Sequence, residues 1–115
     1  MTSGILYEQG DIVIVPFPFT DLSAAKQRPV LIISRNEYNS NTEDVITCGI
    51  TSNFADTLHS VFIDNTHLLN GQIPVPSRIK VDKLFTVHQS IIKKKLCKLN
   101  KKTFEKVKEE LFNLL

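Results

Sequence analysis

An arginine stands at the entrance to an apolar strand, in the segment Lys26-Gln27-Arg28-Pro29. Proline restricts the backbone of the residue before it and favours an extended conformation, so Pro29 helps to orient Arg28. A guanidinium stays charged, and its planar donors match two oxygens of one phosphate group. Arg28 is therefore a candidate phosphate-binding residue. A salt bridge from Arg28 to Asp21 or Asp82 that closes the fold explains the same spacing equally well.

Few other residues match a catalytic or cofactor-binding pattern. No HExxH or EF-hand motif is present, the four glycines are not clustered, and there is no GxSxG motif. Cys48 and Cys97 have no partner at metal-ligand spacing, so we expect buried, reduced thiols and neither a metal nor a cofactor. Two of the histidines, among His59, His67 and His88, would suit an acid–base pair for RNA cleavage, although a histidine at a strand end is more often an ordinary polar residue.

The first two thirds of the chain are predicted to form short β-strands. Apolar runs and runs that alternate polar with apolar residues are typical of strands, and they cover residues 11–15, 29–34, 45–51, 59–64, 77–82 and 84–87. Residues 36–44 and Asn70-Gly71 are predicted to be turns, and Gly49 indicates a bulge or a close approach of another backbone. Residues 30–33 are apolar on both faces, so we expect a second subunit to cover one of them.

The end of the chain switches to helical periodicity. Phe104, Val107, Leu111 and Leu114 form one apolar stripe, and Asn100 is a suitable N-cap. Several short strands followed by one helix predict a mostly β fold, either a small bent sheet or an SH3-like barrel with a C-terminal helix. We expect a single domain over residues 1–115.

Composition is that of a soluble globular protein, with 42% hydrophobic and 23% charged residues. No apolar run approaches the ~20 residues of a membrane span, and the start does not resemble a signal peptide, so the expected compartment is the cytoplasm. Residues 1–92 carry six basic and nine acidic residues, whereas residues 93–115 carry eight lysines and three acidic residues. The basic end is suited to attracting a polyanion, but a solvated helix face is the simpler explanation.

Several segments together resemble the PemK/MazF family of toxin–antitoxin ribonucleases. The sequence GDIV at residues 10–13 is followed by PFPFTD at 16–21 and KQRPVLIIS at 26–34. The likeness continues through Ile50-Thr51-Ser52, residues 76–83 and the segment 96–99 with the helix after it. It therefore covers nearly the whole chain.

The resemblance implies an SH3-like barrel of the CcdB/PemK/MazF type that acts as a homodimer. It implies a toxin of a type II toxin–antitoxin system, a metal-independent endoribonuclease that cuts single-stranded RNA, including mRNA, at short sequences. It also implies a cognate antitoxin whose disordered tail blocks the RNA groove. The sequence departs from the family at Phe85-Thr86-Val87-His88, where Arg-Thr-Ile-Asp is common, and at Cys97, which replaces a glycine.

Residue by residue, the likeness places the family's catalytic arginine at Arg28 and its catalytic threonine at Thr51, followed by Ser52. A basic and an acidic residue of the PemK type fall on Lys80 and Asp82. The loop Thr20–Gln27 corresponds to the loop that lines the RNA groove. The expected RNA-binding residues are Phe17, Thr20, Ser23, Lys26, Gln27, Arg78 and Lys80, and base stacking is expected from Phe17, Phe19 or Phe54.

Cleavage of RNA without a metal requires attack of the 2′-OH on phosphorus, which yields a 2′,3′-cyclic phosphate. Arg28 suits stabilisation of the developing charge, and Thr51 or Ser52 suits a hydrogen bond to the same phosphate. Asp82 is the candidate base, or the group that holds Arg28. Without the resemblance, Thr51 would be an ordinary strand-end hydroxyl, and Asp82 would be a surface partner of Lys80 or Lys83.

Two other functions are compatible with the same fold. A catalytically silent barrel would act as a binding module. A gyrase poison of the CcdB type would act through its C-terminal residues, and Arg28 would then be dispensable.

Overall fold

Seven strands form one antiparallel sheet in the part of the chain that the structure, a computed structural model, describes: residues 7–17 and 26–115. The order across the sheet is β4-β6-β3-β2-β1-β7-β5. Two short 3-10 turns, Asn65–His67 and Gln89–Ile91, connect strands. The strands are β1 Asp11–Phe17, β2 Lys26–Ile32, β3 Asp44–Thr51, β4 Ser60–Ile63, β5 Leu68–Gly71, β6 Ser77–His88 and β7 Lys94–Leu99, and the helices are α1 Asn36–Asn41 and α2 Lys101–Phe112.

The strands predicted from the first two thirds of the sequence are confirmed, with small shifts at their ends. The two runs 77–82 and 84–87 are one strand, β6. Its pairing with β3 shifts between Cys48 and Gly49, which pair with Leu84 and Lys80, so the extra residues 81–83 form a bulge in β6 opposite Gly49, and the bulge predicted in β3 itself was wrong. The turn predicted at 36–44 was wrong in part, because residues 36–41 form α1. Strands β5 and β7 were not predicted, since β5 has only four residues and β7 is rich in lysine.

The sheet curls into a barrel-like shape whose two edge strands, β4 and β5, do not pair with each other. Only residues 64–67 separate these strands along the chain, and the five steps from Ile63 to Leu68 span at most about 18 Å. Asp64 and His67 fix this connection: the Asp64 carboxylate accepts a hydrogen bond from the Thr66 amide (2.9 Å), and the Asp64 amide donates to His67 Nδ1 (2.9 Å). The predicted SH3-like barrel is confirmed.

Apolar residues are buried on both faces of the central strands. An interior cluster joins Ile63 of one edge strand with Leu99 beside the other edge, together with Leu31 of β2. An outer cluster contains Val30 and Ile32 of β2, which are also fully buried. Both faces of β2 are therefore apolar, as predicted, but the chain itself buries the outer face, so no second subunit is needed to cover it.

The C-terminal helix packs its first turns against the barrel. Asn100 is the N-cap, and its side-chain oxygen accepts a hydrogen bond from the Thr103 amide at 2.8 Å. Phe104 and Val107 are buried in the interior cluster, whereas Leu111 is half-buried and Leu114 is exposed. The predicted apolar stripe is thus buried at its N-terminal end. No helix in residues 7–17 and 26–115 is long and apolar enough to cross a membrane.

Both cysteines are buried thiols, as predicted, and neither forms a disulfide. Burial raises the pKa of Cys48 to about 12. Burial, together with the nearby Asp11 carboxylate, raises the pKa of Cys97 to about 11.

The raised pKa values predict that stability falls as the pH rises above ~8.5, where thiols of the unfolded chain ionise. The folded thiols keep their protons up to about pH 11–12, so the folded state binds more protons in this window and the free energy of unfolding decreases. Replacing Cys48 with alanine should make the decline less steep, by up to ~1.4 kcal/mol per pH unit. Urea unfolding between pH 7 and 10.5 measures both slopes, and equal slopes would contradict the prediction.

Candidate functional site

A cavity of about 480 Å³ opens where β1, β2 and β3 reach the end of the barrel. Its walls combine an apolar floor from the strands with polar groups at the rim and a lid from the segment before β6. The lining residues are Ile12, Ile14, Lys26, Gln27, Arg28, Pro29, Ile50, Thr51, Ser52, Ile73, Pro74, Val75, Ser77 and Leu96.

Arg28 and Thr51, which are far apart in sequence, come together on the sheet. β2 and β3 pair antiparallel up to Val30 and Gly49. Two residues beyond this last pair, the same register would set Arg28 across from Thr51 on one face of the sheet, and both residues border the cavity. The row continues on both sides, because Val15 of β1 lies opposite Arg28 and Arg78 of β6 lies opposite Thr51.

The Arg28 side chain is exposed. Alternation along β2 places it on the face of Val30, in the outer cluster, whereas Ile12 and Ile50 of the cavity belong to the interior cluster. Within residues 7–17 and 26–115, no hydrogen bond or ion pair engages its guanidinium. The alternative salt bridge to Asp82 is therefore absent, and Asp21 lies outside the described residues. A guanidinium in this state has its donors available for an anion.

The Thr51 hydroxyl is held by the loop that follows β3. Thr51 Oγ1 accepts a hydrogen bond from the Asn53 amide at 3.0 Å, and the Asn53 side chain in turn accepts one from the Ala55 amide at 3.0 Å. The hydroxyl proton of Thr51 is then available for donation to a ligand oxygen on the face of the sheet that Thr51 shares with Arg28. Ser52 is exposed and lines the same cavity.

Lys80 lies in the protein interior rather than in the cavity. Only 4% of the residue is exposed, and its ammonium donates hydrogen bonds to Asp56 Oδ1 and to the Leu58 carbonyl, both at 2.7 Å. Lys80 thus fastens the loop 52–59 to β6. Because its ammonium is buried and already bonded to these two groups, we leave Lys80 out of the proposed RNA contacts.

Asp82 also lies apart from the residues that line the cavity. Its carboxylate is 3.8 Å from Lys80 Nζ and remains partly exposed beside the bulge of β6. This position matches the alternative reading of Asp82 as a partner of Lys80. Its action as a base stays a prediction.

The histidines have separate roles in the structure. His67 belongs to the connection that closes the barrel, and His88 Nε2 lies 3.1 Å from a carboxylate oxygen of Glu43. His59 is exposed at a positive φ of 51°. None of the three lines the cavity, so we do not include an acid–base pair of histidines in the site.

The charged residues that line the cavity, among those that the structure describes, are basic. They are Lys26 and Arg28, although residues 1–92 contain more acidic than basic residues. An anionic ligand therefore meets no repulsion from the described lining residues. The segment Ile73, Pro74 and Val75 also lines the cavity but was not predicted to do so, and its only signal was the proline after a predicted turn.

Some of the predicted RNA-binding and stacking residues, Thr20, Ser23 and Phe19, lie outside the described residues, as does the side chain of Phe17. Arg78 is half-buried and does not line the cavity, but it extends the row that contains Arg28 and Thr51.

Known proteins resemble this chain in sequence and in fold. The family model of the PemK-like, MazF-like toxin of type II toxin–antitoxin systems matches residues 8–115. A MazE–MazF structure from Deinococcus radiodurans has a TM-score of 0.77 and 19% identity, with 96% of each chain covered. An endoribonuclease in complex with its cognate antitoxin, from a mycobacterial species, has a TM-score of 0.73 and 18% identity, with 93% of this chain and 92% of that chain covered.

A third solved structure, the Mycobacterium tuberculosis toxin MazF-mt6, has a TM-score of 0.70 and 23% identity, with 90% of this chain and 93% of that chain covered. No curated protein sequence matches the chain. At these identities the solved structures establish the fold, whereas the family model spans almost the full sequence. The chain therefore belongs to the PemK-like, MazF-like toxins of type II toxin–antitoxin systems.

Proposed function

We propose that this toxin is a metal-independent endoribonuclease that cleaves single-stranded RNA, including mRNA, at a short sequence. The observation that carries the proposal is the placement of Arg28 and Thr51 in one row on the same face of the sheet, with the Arg28 guanidinium exposed and unengaged within the described residues. Two of the solved structures with this fold are of proteins described as endoribonucleases or MazF toxins.

The two side chains suit complementary parts of the reaction. When the 2′-OH attacks phosphorus, charge grows on the non-bridging oxygens while the bond to the 5′ oxygen breaks. Arg28 would hold two of these oxygens with its paired N–H donors. The Thr51 hydroxyl would donate a hydrogen bond to the same phosphate group. The products are a 2′,3′-cyclic phosphate and a free 5′-OH.

We infer the partners from the family and from the same neighbours. Two of the solved structures contain an antitoxin bound to the toxin, and a cognate antitoxin is the proposed partner here. A homodimer and a cytoplasmic location are further parts of the proposal.

Incubation of the purified protein with a mixed RNA in EDTA tests the activity. The expected result is cleavage at one short sequence, with cyclic phosphate at the upstream ends. Thr51→Val, which keeps the shape of the side chain but removes the hydroxyl, should slow cleavage by ~10²–10³-fold. Intact RNA at high excess of folded wild-type protein would overturn the proposal in favour of a silent binding module, and trapped DNA–gyrase complexes in cells would favour a gyrase poison.

A further inference from the structure

Two phenylalanines form an exposed aromatic pair beside the candidate site. Phe62 of β4 is 38% exposed, and Phe54 of the loop between β3 and β4 is 53% exposed. Their ring centroids are 6.0 Å apart. The His67 ring meets Phe62 edge-on at 6.1 Å, which supports Phe62 from the side of the barrel closure. Exposed aromatic rings held in place by neighbours are typical of a recognition surface rather than of a core.

Arg78 adds a positive charge to this pair. Its guanidinium carbon lies 5.8 Å from the centroid of the Phe62 ring, a cation–π distance, and its Nη1 donates a hydrogen bond to Ser60 Oγ at 3.1 Å. Its Nε is buried and has no hydrogen-bond partner within the described residues. A buried donor without a partner is uncommon and often marks a place where a ligand binds.

The aromatic pair continues the row of the phosphate-binding residues. Phe62 lies opposite Arg78, and Arg78 lies opposite Thr51. Adjacent strands are ~4.8 Å apart, so Phe62 is about 10 Å across the sheet from Thr51. Phe54 follows Thr51 by three residues in the same loop. Hydrogen bonds of Asn53 to Thr51 and Ala55 hold this loop in place. An extended nucleic-acid strand covers this distance within a few nucleotides.

We propose that Phe54 and Phe62, with Arg78, form a stacking site for an unpaired nucleobase that flanks the scissile phosphate. The inference rests on the proposed ribonuclease function and adds residues that determine where the RNA is held. The rings offer π-faces, which any base can stack on, and the guanidinium offers charge and donors to the same nucleotide. A phosphate fixed at Arg28 and Thr51 and a base fixed at Phe62 would together set the register of the strand.

Binding of an uncleavable RNA tests the site directly. The probe is a fluorescent oligonucleotide that contains the mapped cleavage sequence with a 2′-deoxy nucleotide at the cleaved position. Phe54→Leu and Phe62→Leu keep apolar bulk but remove the aromatic face, and each should raise Kd about 10-fold. The matched control is Phe112→Leu, at a phenylalanine that is 67% exposed on α2, which should bind like the wild type.

A scan with abasic nucleotides separates stacking from a general loss of structure. At one position beside the cleaved bond, removing the base should weaken wild-type binding about 10-fold but should not weaken binding by Phe62→Leu or Phe54→Leu any further. Equal losses for wild type and both variants at every position would overturn the proposal, as would unchanged Kd values for both folded variants. If Phe62→Leu fails to fold, Phe54→Leu decides, because its ring is more exposed.

The binding and cleavage measurements distinguish an error in the proposed ribonuclease function from an error in the proposed stacking site. Wild-type protein that neither binds nor cleaves RNA overturns both. Wild-type protein that cleaves RNA, with leucine variants that bind it normally, overturns only the stacking site. Leucine variants that lose affinity for an antitoxin peptide while binding RNA normally would also overturn it and assign the surface to a protein partner.

Discussion

Replacing Arg28 with alanine should reduce the rate of RNA cleavage by at least ~10²–10³-fold. The guanidinium is exposed and unengaged within the described residues, so it has no structural task that would explain such a loss. Arg28→Lys should recover only a small part of the rate, because an ammonium cannot hold two oxygens in the fixed geometry of a guanidinium. Single-turnover cleavage of an oligonucleotide measures the chemical step.

Arg35→Ala is the matched control for this prediction. Arg35 is also an exposed arginine, but its partner is Glu37 at the start of α1, away from the cavity. We expect Arg35→Ala to cleave at the wild-type rate and both variants to unfold at the wild-type temperature. Cleavage by folded Arg28→Ala at more than a tenth of the wild-type rate would contradict the assigned role.

Replacing Gly71 with alanine should destabilise the protein by about 2–5 kcal/mol. Gly71 ends β5 with a φ of 73°, in the left-handed region, and a Cβ there would overlap the Leu96 carbonyl oxygen and approach Cys97 Cα to 2.8 Å. These contacts belong to β7, so relief would require the edge strand to separate from its neighbour. The free energy of unfolding in urea measures the effect.

Gly49→Ala provides the comparison, since Gly49 is also a strand glycine. A Cβ at Gly49 would meet side-chain atoms of Phe85 and Lys83 at 3.5–3.6 Å, which are ordinary contacts. The close approach of another backbone that the sequence suggested at Gly49 is found instead at Gly71. Gly49→Ala should therefore change stability by less than ~1 kcal/mol, and a similar loss in both variants would contradict this explanation.

The sequence predicted those features of the site that depend only on neighbouring residues in the chain. The segment that contains Arg28 predicts an oriented guanidinium, because Pro29 acts on its immediate neighbour. The proximity of Arg28 and Thr51 beside one cavity depends instead on the register of β2 and β3, and no local pattern specifies register. Only the likeness to a family suggested that these two residues act together.

Lys80 illustrates why some site residues were misplaced. It stands in the alternating run 77–82, where a polar residue normally faces solvent. Its burial follows from the loop 52–59, which folds back so that Asp56 and Leu58 cover the ammonium. Such a long-range contact has no signature in the spacing of residues along one strand.

The fold was predictable from its strands and terminal helix, but its closure was not. Residues 64–67 look like an ordinary polar connection, and only the structure reveals that they join opposite edges of the sheet. Strand β7 was missed because its lysines match the basic helix that follows. Cys97 and Leu99 of β7 are buried. This alternation can be recognised as that of a strand only when the pairing of β7 with β1 is known.

The placement of β1 between β2 and β7 determines when the cavity is completed during synthesis. β1 and β2 leave the ribosome early and can pair at once, whereas β7, which supplies Leu96 to the cavity, emerges near the end. Pairing between such distant segments is slow compared with local pairing. A nascent chain therefore has no complete cavity until almost the whole polypeptide has left the ribosome.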